Sequence, residues 1–508
     1  VKLDSVVKKI LDARVYDVAT RTPLDFAPNL SRRFNNQVWL KREDLQPVFS
    51  FKLRGAYNRM AQLSDTEKAK GVVCASAGNH AQGVALSAKH LAVKATIVMP
   101  RTTPEIKVAN VRNLGAKVVL HGDAYDDASA YAQRLVAEQG ATYIHPYDDD
   151  DVIAGQGTIA REVLEQLQGP LDAVFIPVGG GGLVAGMAAY IKYLRPDVKV
   201  IGVEPEDAPT LHAAMAAKRR VTLKSVGLFA DGVAVKKIGQ KTFALAKDYV
   251  DEVVLVSVDQ ICAAISDVFD DTRSIAEPAG ALAIAGLKKY VQENEVAGQQ
   301  LVAVASGANI NFHRLRHVSE RAELGEAREA LFAVGIPEKP GSFKRFCSLL
   351  GKRSITEFNY RYADRDMAQI FVGLSLSDPT ERQALLSKLE SAGYAVVDMT
   401  DNEMAKLHVR YMVGGVSPST EKKGVDERLF RFEFPERPGA LMEFLKAIGS
   451  QWNISMFHYR NHGAAYGRVL TGLEVPAGEL TALRESLAQV GYPVVEETDN
   501  PAAKLFLS

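Results

Sequence analysis

The chain has 508 residues, 47% hydrophobic and 24% charged, with Lys+Arg and Asp+Glu equal at 61 each. That length asks for roughly two to four domains, and the composition for an ordinary globular core. A formal charge of zero lacks the basic excess that nucleic acid and acidic membrane surfaces favour. No apolar run approaches the ~18 residues of a membrane span. Three cysteines, Cys74, Cys262 and Cys347, stand far apart without metal or redox spacing, which reads as idle thiols in a reducing compartment. The N-terminal stretch is charged and amphipathic rather than a secretion signal. A cytoplasmic location is therefore expected, or a plastid one if a transit peptide has been removed.

From about residue 50 to 310, strand and helix signals alternate. Val72 to Ala75 predicts a strand and Asn79 to His90 the helix after it. Ala95 to Met99 predicts another strand, then Pro104 to Leu114 a helix with proline at its start. Lys117 to Leu120, Ala173 to Val178, Lys199 to Val203 and Leu301 to Ala305 continue the strand series. Such alternation is the signature of parallel sheets covered by helices, with ligand sites just beyond the strands' carboxyl ends.

Four segments at such positions carry chemistry. Lys52, in Ser50-Phe51-Lys52-Leu53-Arg54-Gly55-Ala56, has apolar neighbours that can lower its pKa and make it a Schiff-base amine; alone it also reads as a surface lysine. Ser76-Ala77-Gly78-Asn79-His80-Ala81-Gln82-Gly83 places small residues and a helix start where a carboxylate could bind; His80 alone reads as a packed or capping histidine rather than an acid–base catalyst. Gly179-Gly180-Gly181-Gly182-Leu183 can aim several N–H groups at one phosphate, or form a plain tight turn. It lacks the acidic partner of a dinucleotide site and the Lys-Ser/Thr of a P-loop. Ser306-Gly307-Ala308-Asn309 offers a hydroxyl to a heterocyclic nitrogen, or a cap for a helix starting at Asn309.

After about residue 320 the pattern changes, and a repeat appears. Leu331 to Gly341 is echoed 98 positions later by Leu429 to Gly439, both ending in Pro-Gly. Phe346 and Gly351 answer Phe444 and Gly449, and after a one-residue shift Ile355 to Arg361 answers Ile454 to Arg460. Each copy reads as strand, Pro-Gly loop, helix, strand, which is a duplicated small domain rather than a solenoid. The expected boundaries are 1–320, a linker at 321–330, 331–415, a linker at 416–428, and 429–508.

In this order and spacing, the four motifs resemble the threonine dehydratase branch of the fold-type-II pyridoxal-phosphate enzymes over residues 10 to 320. The repeat resembles the paired ACT-like regulatory domains of the biosynthetic, isoleucine-inhibited form. The resemblance implies an α/β catalytic domain, tryptophan synthase β-like with parallel sheets, plus two α+β ACT-like domains. It implies deamination of L-threonine to 2-oxobutanoate and ammonia in isoleucine biosynthesis, with L-serine as a second candidate substrate. Isoleucine as inhibitor, valine as its antagonist, and a homotetramer are implied in the same way. Residue by residue, Lys52 matches the lysine that carries pyridoxal 5'-phosphate and then acts as base. Phe51 matches a neighbour of the ring, and Gly179, Gly180, Gly181, Gly182 and Leu183 the phosphate loop. Asn79 matches the amide at the cofactor's 3-hydroxyl and Ser306 the hydroxyl at the pyridine nitrogen. Ser76, Ala77, Gly78, Asn79 and His80 match the loop that receives the substrate carboxylate.

Serine racemases resemble this domain too, but carry a second serine where Ala77 stands, so elimination is expected over racemisation. Their divalent-cation site follows a Glu-Pro. Here Glu204-Pro205 is followed by Thr210 at the place of an acid, so no required metal is expected. The reading of another class, a catalytically silent amino-acid sensor, sits poorly with intact Lys52, Asn79, Ser306 and four glycines.

Overall fold

The computed structural model describes residues 3–337, 345–346, 349–350, 355–362, 367–411, 425–435, 452–460, 466–489 and 491–507. They form two compact units, Val1–Ala322 and Glu323–Ser508. Among the described residues no helix is long and apolar enough to cross a membrane.

The strands of the first unit are β1 (Leu24–Phe26), β2 (Gln37–Arg42), β3 (Val72–Ala75), β4 (Ala95–Met99), β5 (Lys117–Leu120), β6 (Thr142–Tyr143), β7 (Ala173–Pro177), β8 (Lys199–Pro205), β9 (Glu252–Val256) and β10 (Gln300–Ala305). They make a six-stranded sheet, β1-β2-β10-β7-β8-β9, and a four-stranded sheet, β5-β4-β3-β6. Every pairing is parallel except β1 with β2. All five residues of β7 are buried, as a strand covered by helices on both faces demands. The predicted strands reappear at their expected places, with β7 and β8 ending at prolines that cannot donate further ladder bonds. Asn309 starts no helix. The next one spans Arg314–Gly325, so Ser306 is not a helix cap.

One helix, Asp150–Gln166, organises this unit. It packs against both the helix Lys52–Ala61 and the helix Gly182–Leu194, the two that begin at the candidate lysine and the glycine run. Glycines permit both crossings. A Cβ on Gly155 would lie 2.7 Å from the Arg54 carbonyl oxygen and from Gly55 Cα. A Cβ on Gly186 would run into the Ile153 carbonyl oxygen and Gly157. Below the first crossing lies a buried ionic knot. Arg54 donates to Glu43 (2.8 Å) and to Glu162 (2.6 Å), and Lys41 donates to Glu162 (2.6 Å). All four side chains are fully buried.

The second unit holds β11 (Glu329–Pro337), β12 (Ile355–Tyr362), β13 (Met367–Ser375), β14 (Ala395–Asp398), β15 (Val425–Pro435), β16 (Asn453–Arg460), β17 (Tyr466–Pro476) and β18 (Val494–Glu496). Two antiparallel sheets result, β12-β13-β11-β14 and β16-β17-β15-β18, with the same strand order. The repeat extends to an irregularity: the register shifts between Ile355 and Glu357 in one copy and between Ile454 and Met456 in the other. β11 and β15 begin earlier than the repeat motif, at Glu329 and Val425, inside the stretches read as linkers. The Pro-Gly loops at Pro340-Gly341 and Pro438-Gly439, with Cys347, Gly351, Phe444 and Gly449, lie outside the described residues.

The glycine crossings make a direct prediction. Gly186→Ala should destabilise the first unit by about 1–3 kcal/mol, because a backbone neighbour cannot yield as a side chain can. Gly78→Ala, where a Cβ meets nothing within 4 Å, should stay within about 0.5 kcal/mol of the parent. Urea unfolding of both variants checks the contrast.

Candidate active site

The loop after β10 and the helix after β3 meet the start of the Lys52 helix, at the carboxyl ends of parallel strands. The Phe51 N–H donates to the Ser306 carbonyl (3.3 Å), and Ser50 forms an isolated bridge with Gly307. Gly83 in turn lies so close to Lys52 and Leu53 that a Cβ there would touch their backbone at 3.0–3.1 Å. The lysine is thus held from two sides by main chain.

Lys52 is half-buried, with its Nζ 5.1 Å from the centre of the Phe51 ring. Burial draws its pKa down to about 8, against the opposing pull of Glu277. An amine with that pKa is partly unprotonated near neutrality, which a nucleophile or base requires.

The glycine run joins β7 to the helix Gly182–Leu194, whose first amides have no intrahelical acceptor. Gly181 has φ +91°, in the left-handed region. Gly180 and Gly182 abut Tyr147, and a Cβ on Gly180 would enter its ring. Thr242 Oγ1 donates to the Gly180 carbonyl (2.7 Å), turning that oxygen away and leaving the N–H side of the loop for an anion. Leu183 buries its side chain in the core, so only its backbone can take part.

In the Ser76–His80 loop, Ser76 Oγ accepts from the Gly78 and Ala81 amides, each at 3.3 Å. Its own O–H remains to donate, beside the Asn79 and His80 amides at the head of the helix Asn79–Leu91. Ala77 and Gly78 supply only backbone. The His80 ring turns inward: Nε2 meets the Ile144 carbonyl at 2.9 Å, which makes it the protonated nitrogen of a neutral ring. Burial lowers its pKa to about 3.

Asn79 is fixed at both ends of its amide. Nδ2 donates to Glu277 Oε1 (2.5 Å), and Oδ1 accepts from Asn309 Nδ2 (2.7 Å). Glu277 is buried, and burial with nearby Asp231 raises its pKa to about 7. Ser306 is buried, and its Oγ donates to the Ala279 carbonyl (3.1 Å). Glu277, Thr242 and Tyr147 escaped the sequence reading. Nothing local distinguishes Glu277-Pro278 from any helix start, and the other two act on glycines far away in the chain.

Glu204 is committed elsewhere. Its two oxygens accept from Thr210 Oγ1 (3.1 Å), the Leu211 amide (2.7 Å) and the His212 amide (2.9 Å). Among the described residues no cluster of three or more His, Cys, Asp or Glu could hold a metal ion.

Comparison with known proteins gives the family. Residues 15–307 match the family described as "Pyridoxal-phosphate dependent enzyme". Residues 320–409 and 420–507 match the "C-terminal regulatory domain of Threonine dehydratase". The chain is similar to an L-threonine dehydratase biosynthetic IlvA of Burkholderia multivorans, 57% identical over 99% of both chains. It is 55% identical to the Escherichia coli protein of that name, over 99% of this chain and 97% of the other. Among solved structures it is similar to the processed form of threonine deaminase isoform 2 from Solanum lycopersicum, at TM-score 0.63 and 50% identity, covering 64% of this chain and 89% of that one.

His80 supplies a pH test. Folded, it stays neutral down to about pH 3, whereas its ordinary value is 6.5. Below 6.5 the unfolded chain therefore binds a proton that the folded chain refuses. This contribution is complete above 6.5 and is lost as the pH falls toward 3. In His80→Gln, urea unfolding between those values should lose about 1.4 kcal/mol per pH unit less than in the parent. Parallel pH profiles would show that the ring is not held neutral.

Proposed function

The chain belongs to the biosynthetic threonine dehydratases, and on that premise we propose which of its residues bind, orient and work on the substrate. It is a pyridoxal-phosphate-dependent lyase that converts L-threonine to 2-oxobutanoate and ammonia, a step of isoleucine biosynthesis. The observation that carries the residue assignment is Lys52: a half-buried amine of lowered pKa, set among a glycine loop, a helix-start anion site and a buried serine.

The residues present fit the cofactor. The Gly179–Leu183 amides, on a loop packed so closely on Tyr147 that only glycine fits at position 180, are suited to its phosphate. Asn79 and Ser306 would meet the ring's 3-oxygen and pyridine nitrogen, with Phe51 beside the ring. Once bound, pyridoxal phosphate supplies the electron sink that makes the proton on the amino-bearing carbon removable. Lys52 would hold the cofactor covalently and, once released as a free amine, would take that proton. The Ser76 hydroxyl and the Asn79 and His80 amides take the substrate carboxylate. The His80 ring is occupied by Ile144, so its role in the site is its backbone. Alanine at position 77 places no hydroxyl on the substrate's other face, which favours elimination over racemisation. The Ser306 hydroxyl, which donates to the Ala279 carbonyl here, would turn to the pyridine nitrogen and give it a neutral contact rather than a carboxylate, which favours prompt loss of the β-hydroxyl.

We further propose isoleucine as inhibitor and valine as antagonist, acting on the second unit, and a homotetramer as the working assembly. L-serine differs from threonine by one methyl, worth only ~1–3 kcal/mol in a pocket, and is proposed as a slower substrate.

Lys52→Ala should abolish 2-oxobutanoate release from L-threonine, and isoleucine should suppress the parent's activity. Turnover indifferent to isoleucine would keep the enzyme and remove the effector. Because Glu204 is saturated by helix-start donors, dialysis against a chelator should leave activity and melting temperature unchanged. A loss restored by magnesium or calcium would overturn the metal-free reading.

A further inference from the structure

We propose that Glu277 and Asn309 are positioning residues that lock the Asn79 amide in one orientation, so that it donates rather than accepts at the 3-oxygen of the bound cofactor. The inference rests on the assignment of Asn79 to that oxygen made above.

The two ends of an amide are normally hard to tell apart, but a network anchored on an unambiguous group resolves them. Here the anchor is the Val48 carbonyl, which can only accept. Asn309 presents an atom 2.8 Å from it, which must be nitrogen. The same nitrogen lies 2.7 Å from Asn79, so the atom it meets there must be oxygen. The Asn79 nitrogen therefore faces Glu277 Oε1 at 2.5 Å. Both hydrogens of Asn309 are spent, and one of the two on Asn79 remains. Turning the Asn79 amide over would set nitrogen against nitrogen at the Asn309 end, and oxygen against oxygen at the other whenever the Glu277 carboxyl is ionised.

The chain makes room for this arrangement. A Cβ on Gly307 would lie 2.5 Å from Glu277 Oε1, and one on Gly232 would lie 3.8 Å from that oxygen and 4.0 Å from Asn79 Nδ2. The Glu277 amide donates to the Gly307 carbonyl (3.1 Å), tying the head of the helix Pro278–Glu293 to the loop after β10. A carboxylate is thus delivered beside an amide 198 residues away.

The consequence concerns protons. An N–H aimed at the cofactor's 3-oxygen favours its anionic form, as hydrogen bonds to a charged form do. A carbonyl turned toward it would favour the protonated form. With only a serine at the pyridine nitrogen, the 3-oxygen is the ring position whose charge this chain controls most directly.

The test is the absorption spectrum of the full-length, cofactor-loaded protein at neutral pH, read as the ratio of the anionic-oxygen band to the neutral-oxygen band. Glu277→Leu removes the acceptor, and Asn309→Asp reverses the polarity facing Asn79. Each should lower the ratio by roughly tenfold, the equilibrium equivalent of one hydrogen bond to a charged group. Glu277→Gln keeps an acceptor oxygen and should restore the parent ratio. Bound cofactor with the parent ratio in both Glu277→Leu and Asn309→Asp overturns the proposal. So does a Glu277→Gln protein that loses the band, since the charge rather than the lock would then be responsible. If Glu277→Leu does not fold, Asn309→Asp decides alone. A parent protein without any cofactor band would instead overturn the cofactor assignment, which keeps the two failures apart.

Discussion

The first unit depends on how the helix Asp150–Gln166 is clamped between the two helices that carry the chemistry. Gly55 with Gly155 on one side, and Gly157 with Gly186 on the other, let the backbones approach closely. The ionic knot then fixes rotation. Arg54 and Lys41 balance Glu43 and Glu162, and every member has several partners: Glu162 also accepts from Tyr16 (2.8 Å), and Glu43 from Thr22 (2.6 Å). Burial alone would raise the Glu162 carboxyl, but Arg54 and Lys41 hold it below its usual range. Desolvating four charges costs several kcal/mol per ion, so a knot of this kind is weak evidence for stability. Its directional bonds do bear on placement. Arg54 lies two residues beyond Lys52, about 200° around the helix, so pinning Arg54 inward toward Glu43 and Glu162 sets the opposite face, with Lys52, toward the site.

A second consequence of parallel sheets is that every chemical group arrives on a separate loop. Lys52, Asn79, the glycine run, Glu277 and Ser306 come from five segments, and none can align itself alone. The protein meets this with main-chain ties rather than side-chain reach: Phe51 to Ser306, Ser50 to Gly307, Glu277 to Gly307. Backbone contacts do not lose rotamer entropy when they form, which suits a site whose parts must be held before the ligand arrives. Thr242 plays the same part below the glycine loop, fixing one carbonyl so that the amides face the other way.

What was legible in the chain followed from locality. Strands such as β3, β4 and β5 announce themselves by β-branched runs, and the four motifs by unusual local composition. The groups that could not be read act across distance. Glu277 looks like any residue before a helix-starting proline, and only its position beside Asn79 gives it a role. Asn309 stood inside a recognised motif, but its contacts, Val48 and Asn79, are 261 and 230 residues away. Gly155, Gly157 and Gly186 interrupt apolar helices without any local reason, because the reason is the neighbouring backbone. His80, which by itself reads as a packed or capping histidine rather than an acid–base catalyst, does pack: its ring faces inward and is neutral.

The duplicated unit shows how two similar copies can make unequal contacts. Thr400 and Thr498 play matching parts, each accepting from a strand amide, Leu331 or Leu429, at 3.0 Å. Asn402 and Asn500 likewise cap the helices that follow them, through the amides of Ala405 and Ala502. These two asparagines also meet, and there the equivalence ends. Asn402 Nδ2 donates to Asn500 Oδ1 at 3.2 Å, while Asn500 Nδ2 donates to Glu497 (2.9 Å). A single hydrogen bond between two like amides needs one donor and one acceptor, so a pair placed about a common axis cannot be symmetric. The buried cluster around them draws on both copies, with Phe371 edge-on to Phe506 at 5.6 Å. The two copies, alike in fold, therefore pack on each other through contacts that differ between them.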